Sequence, residues 1–126
     1  MSHSHSHPED LYKVVYNSCF GGFSLSKEAE EWICTKLHIT ALHAGVGMFE
    51  HLILSDVDAV TYEANTQRHS PLLVECVETL GSAKSSGRCA SLQIGVIQGN
   101  QYFIEEYDGS ESVITPADDI GKWTTI

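Results

Sequence analysis

Glu106 and Glu111 stand on either side of an Asp108-Gly109 pair, and this spacing is the feature of the 126-residue chain most able to do chemistry. A two-residue Asp-Gly turn between Tyr102–Tyr107 and Ser110–Ile114 predicts a hairpin with a defined register. Tyr107 then faces Ser110, Glu106 faces Glu111 and Ile104 faces Val113. Like charges directly across a strand pair are unfavourable, so this register calls for compensation. A basic side chain, a cation, a raised pKa on one acid or solvent screening would each supply it. At the margin of a core the pair would suit acid–base work on a small or phosphorylated substrate. At a solvated hairpin tip it needs no function.

Two other places hold groups of a suitable kind. Phe20-Gly21-Gly22-Phe23, followed by Ser24 and Ser26, reads as strand, glycine pair and helix start, an arrangement in which backbone N–H groups can receive an anion. No lysine follows in P-loop position and no G-x-G-x-x-G occurs, so a nucleotide fold is not supported, and a tight turn with an ordinary N-cap accounts for the residues equally. Arg68-His69 adds positive charge before another helix start. His69 can titrate near neutrality, and Arg68 is well placed to pair with one of the many carboxylates. The candidate ligand- or partner-binding residues are therefore Gly21, Gly22, Ser24, Arg68, His69, Glu106 and Glu111.

Metal, cofactor and covalent chemistry find little support. His38, His43 and His51 are spaced five and eight apart, which repeats no helical face, and H-E-x-x-H is absent. Cys19, Cys34, Cys76 and Cys89 contain no C-x-x-C pair and read as buried, reduced thiols. Histidines alternate with serines from Ser2 to His7, a pattern that fits a disordered tail over residues 1–9, tag or natural, with at most weak metal affinity. No metal or cofactor is expected.

These residues need elements to hold them. Leu11 to Cys19 is rich in β-branched and aromatic residues and predicts the first strand, with Tyr12, Val14 and Tyr16 on one face and Lys13, Val15 and Asn17 on the other. Ser26 as N-cap, acids at 28 and 30, and a stripe of Ala29, Trp32, Ile33 and Leu37 predict a helix. Residues 38–67 are hardest to read. They suggest a helical turn near Ile39–His43, a strand or buried turn over Met48–Leu54, and a strand within Val57–Ala64. Ser70-Pro71 opens a second helix striped by Leu73, Val77 and Leu80, which ends at Gly81 or one turn later before Ser86-Gly87. Cys89 to Ile97 predicts a strand with Ala90, Leu92, Ile94 and Val96 inward, and Gln98-Gly99-Asn100 turns the chain into the final hairpin.

The bulk composition bounds the function. A length of 126 residues with 42% hydrophobic content suits one soluble domain over residues 10–126. Seventeen acids against seven basic residues give a net charge of −10, which repels nucleic-acid phosphates and anionic lipids. Neither nucleic acid nor membrane is an expected partner, and with no secretory signal visible the expected location is cytoplasmic.

Three blocks, Phe20-Gly21-Gly22-Phe23-Ser24-Leu25-Ser26, Arg68 to Glu75 and Ile104 to Glu111, resemble in that order a family of small uncharacterised proteins of bacteria, phages and large DNA viruses. The family pattern has an acidic residue where this chain has Ser70 and an Asn where it has Ser86, and its ending differs from Pro116–Ile126. The resemblance implies no activity; it implies carriage on mobile or viral genomes and an accessory role in host interaction. The expectation is an α+β domain, a mainly antiparallel sheet of four or five strands packed by two helices. It would act as an acidic protein-interaction or ligand-binding module, with self-association through an exposed sheet edge. The alternative is a small hydrolase-like enzyme working through the carboxylate pair.

Overall fold

The computed structural model describes residues 10–47, 50–116 and 123–126. In chain order the elements are β1 (Leu11–Asn17), α1 (Lys27–Lys36), β2 (Leu42–Ala44), β3 (His51–Ile53) and α2 (Asp56–Ala64). Then follow α3 (Pro71–Ser85), β4 (Leu92–Gln98), β5 (Gln101–Tyr107), β6 (Ser110–Ile114) and β7 (Thr124–Thr125). The class is α+β and every strand pairing is antiparallel.

The ladder of β1 with β4 lies at the centre and is covered on both faces. Its register runs from Leu11 opposite Gln98 to Asn17 opposite Leu92. Because side chains alternate along a strand, Val15 and Leu92 turn to one side and Val14 and Ile97 to the other. On the first side α1 and α3 bring Ala29, Ile33, Leu73, Val74, Cys76 and Val77 against Val15 and Leu92. Ile33, Leu73 and Leu92 are fully buried, each contributing roughly 1.5–3 kcal/mol of transfer free energy. On the second side Val14 and Ile97 pack with Tyr102 of β5, flanked by Ile104 and Val113. The β5–β6 hairpin therefore forms a third layer. Val113 sits above Gly95, which together with the Tyr16 ring leaves only van der Waals room for a Cβ there.

Local chemistry explains the two long helices. The Ser26 hydroxyl accepts from the Ala29 N–H at 3.0 Å, and Glu28 and Glu30 place negative charge in the first turn of α1. Ser70 occupies the N-cap of α3 with Pro71 behind it, but its hydroxyl donates to the Ala64 carbonyl at 3.4 Å and makes no capping bond. The helix kinks at Gly81, where φ is 84°, and adds one more turn to Ser85, so both anticipated endings leave a mark.

Several expectations are corrected. The segment predicted as a strand within Val57–Ala64 is α2, capped by Ser55 through the Asp58 N–H at 3.1 Å. It buries no residue and leaves Val57 and Val60 exposed, so its β-branched outer face imitated a strand. The helical turn near Ile39–His43 gives way to β2, paired with β3. Among the described residues there are three helices, and the antiparallel strands of this α+β domain lie in the ladders β1-β4, β2-β3 and β6-β5-β7. Val96, expected inward, lies opposite Lys13 and is 60% exposed. Cys34 and Cys76 are buried, whereas Cys19 and Cys89 are exposed. The His/Ser tail falls outside the described residues.

Candidate functional site

The register of the final hairpin is as expected, Glu106 opposite Glu111, but the two acids take separate partners. Glu111 is buried, and Arg68 meets it with both ends of its guanidinium: Nη1 donates to Oε1 at 2.6 Å and Nη2 to Oε2 at 2.9 Å. The backbone N–H of Asn17 donates to Oε1 at 2.9 Å. Burial works against the charge of Glu111. The Arg68 hydrogen bonds, the Asn17 N–H and the Arg68 charge outweigh it and hold the carboxyl below its ordinary range. The Arg68 guanidinium carbon also lies over the Phe23 ring, 3.6 Å from its centroid, and the Arg68 carbonyl accepts from the Val15 N–H at 2.8 Å. The loop before α3 is thereby fastened to β1. Glu106 is exposed, and its carboxylate accepts from the Gly109 N–H at 3.0 Å across its own turn.

Asn17 completes this junction, and sequence reasoning passed it over as an ordinary strand residue. Fully buried, it donates from Nδ2 to the carbonyls of Cys19 at 2.6 Å and Gly109 at 2.9 Å. Its Oδ1 accepts from the N–H groups of Cys19 at 3.2 Å and Ser91 at 2.8 Å, so both donors and both acceptor positions of the amide are filled. The glycines expected to receive an anion have a different use. A Cβ on Gly21 would stand 1.9 Å from the Cys89 carbonyl oxygen. One on Gly109, where φ is 91°, would stand 2.2 Å from the Phe20 oxygen and 2.8 Å from the Gly22 nitrogen. Gly21 and Gly109 allow backbones to touch, and Gly22 serves the turn through its φ of 91°.

His69 lies apart from the acids. Its Nδ1 is 2.7 Å from the Tyr102 hydroxyl, and the two rings meet edge to face with centroids 5.7 Å apart. Burial lowers the His69 pKa and raises that of Tyr102, the latter opposed by Arg68. The hydrogen bond between Nδ1 and the phenol ties the start of α3 to β5.

Ser24 belongs to a second place, a lateral cleft of about 690 Å³. Past Gly22 the chain joins the exit of α3: the Gly87 N–H donates to the Ser24 carbonyl at 2.9 Å and the Ser26 N–H to the Ser85 carbonyl at 2.9 Å. This seam sets Ser24, Ser86 and Arg88 on one wall. The β2–β3 hairpin supplies His43, His51 and Leu52, and α2 supplies Tyr62. Polar side-chain contacts hold the hairpin in position. His43 Nε2 lies 3.0 Å from Glu30 Oε1, its Nδ1 lies 3.8 Å from Glu31 Oε2, and Lys27 reaches Glu50 at 3.3 Å. The His43 side chain is only 6% exposed. Burial, with the Glu30 charge beside it, raises the Tyr62 pKa far above the usual phenol range, so its hydroxyl remains protonated.

Among the described residues, no group of three or more His, Cys, Asp or Glu side chains could hold a metal ion, and no helix is long and apolar enough to cross a membrane. Of the expected site residues, the structure joins Arg68 with Glu111 and brings Gly21, Gly22 and Glu106 near them, while Ser24 and His69 face other surroundings. Of the cleft residues, Glu30 was legible only as a first-turn acid of α1 and His43 only as one of three spaced histidines, and Tyr62 and Arg88 carried no site signal. The fold and this cleft define a small α+β protein whose concave surface is built from four chain segments. No protein-family model, curated protein or solved structure matches the chain.

Proposed function

We propose that this chain is a small-molecule-binding module and that the cleft is its site. The observation that carries the reading is the cleft itself: at about 690 Å³ it falls within the roughly 300–1,000 Å³ of ligand pockets, and it combines apolar walls with a few convergent polar groups. Phe23, Leu25, Leu52 and Tyr62 provide apolar surface, while Ser24, Arg88 and the Glu30–His43 pair provide the polar points. The acid pair of the hairpin supports catalysis less well, because Glu111 is committed to Arg68 and Asn17 and Glu106 to its own turn. In this reading the module works in the cytoplasm, and its role there is an accessory one of the kind that the resemblance to proteins of mobile and viral genomes implies.

The test is a fragment screen on the ¹⁵N-labelled full chain, read by amide chemical shifts. Binders are expected to move the resonances of Ser24, Leu52 and Thr66, whose segments line different walls. A screen in which hits gather elsewhere, or in which none appears, would reject the cleft as the site.

A further inference from the structure

We infer that the cleft takes a small organic anion, its carboxylate or phosphate group held by Arg88 with Ser24 and its body against Tyr62 and Leu52. The inference rests on the cleft being the ligand site, and it follows from which polar groups there are already engaged. The cleft carboxylates have partners: Glu30 faces His43 at 3.0 Å and Glu50 faces Lys27 at 3.3 Å. Three donors of the cleft, those of Arg88, Ser24 and Tyr62, are open. Arg88 is exposed and pairs with no carboxylate among the described residues, although the chain carries a net charge of −10 and its other arginine, Arg68, holds Glu111 at two points. Ser24 Oγ and the Tyr62 hydroxyl likewise make no hydrogen bond with a described residue. A site with both carboxylates partnered and three donors open selects a ligand rich in acceptors.

The placement of these donors is specific. A Cβ on Gly87 would lie 2.0 Å from Ser24 Oγ, so the missing side chain is what leaves the hydroxyl on the cleft wall next to Arg88. The planar guanidinium can offer two parallel N–H groups to a carboxylate or phosphate, and the serine O–H adds a third donor. Tyr62 and Leu52, on the facing segments, supply contact for an apolar or aromatic body.

The experiment uses matched acids and neutral analogues on the full chain. Phenyl phosphate and benzoate are titrated beside phenol and benzamide, with amide shifts locating each and calorimetry giving affinities, for the parent and for Arg88→Gln. The acids are expected to bind about tenfold tighter than their neutral partners, an advantage that Arg88→Gln removes. The thermal midpoint of the variant should stay at that of the parent, since Arg88 is exposed. A comparison of phenyl phosphate with benzoate tells which acidic group is preferred. Equal affinity for acids and neutral analogues, or acid binding untouched in Arg88→Gln, overturns the anion inference and leaves the cleft standing. Cleft resonances unmoved by all four compounds overturn both.

Discussion

Replacing Glu111 by Gln keeps the shape of the side chain and removes its charge. The carboxylate accepts three hydrogen bonds, two from Arg68 and one from the Asn17 N–H. The amide has one oxygen to accept with, and its NH₂ must turn toward a guanidinium or a backbone N–H, donor against donor. Hydrogen bonds to charged groups contribute about 1.5–3 kcal/mol each, and breaking one side of a buried ion pair costs about 3–5 kcal/mol. The Arg68 side chain is 24% exposed, so water restores part of the loss and the expected cost at neutral pH is about 2–3 kcal/mol. Against a total of about 5–15 kcal/mol the variant still folds, with its melting temperature lowered by roughly 10 °C.

Urea unfolding of parent and variant across pH is the assay. The folded pKa of Glu111 lies below its unfolded value near 4.5, so its contribution is complete above that value and is lost as pH falls through the depressed one. The gap between the two proteins should be level from roughly pH 6 to 8 and should close in acid below about 4.5. The double variant Arg68→Met with Glu111→Leu should recover much of the loss, because neither charge is then left alone. A neutral-pH cost under about 0.5 kcal/mol, or a gap that persists in strong acid, would refute the reasoning.

Gly109→Ala should destabilise by more than about 2 kcal/mol, since it adds a Cβ 2.2 Å from the Phe20 oxygen to a residue already at positive φ, and denaturant unfolding checks it. Of the four cysteines, Cys19 and Cys89 should react with a thiol reagent in the native protein, and Cys34 and Cys76 only after denaturation. Burial pushes the Cys76 thiol up to about 11, which withholds its thiolate further. Fast native labelling of all four, followed by mass spectrometry, would contradict that placement.

What the sequence disclosed was local chemistry. Asp108-Gly109 has positive φ at both residues, 52° and 91°, and that requirement is written in the residue types, so the hairpin register could be read directly. Ser26 and Pro71 mark helix starts for similar short-range reasons. Arg68 was legible as half of an ion pair, but the identity of its partner depended on how β6 docks beside β1. Residues 38–67 misled because α2 turns Val57 and Val60 to solvent and anchors little against the core, so its pattern carries no buried stripe. The cleft was illegible for a different reason. It exists only where four distant segments meet, and no period within any one of them announces it.

The central position of β1 also constrains how the chain can be made. Its partner strand begins 75 residues after its own last residue, as the pairing of Asn17 with Leu92 shows, and the bond from Asn17 to Glu111 spans 94 residues. On a ribosome, the first strand must therefore emerge and wait, with Val15 uncovered until α3 and β4 have been synthesised and Val14 until the hairpin has followed. Such topology favours slow, late collapse over stepwise assembly. During that interval the nascent β1 is the segment for which a holding chaperone, or another nascent chain, would compete.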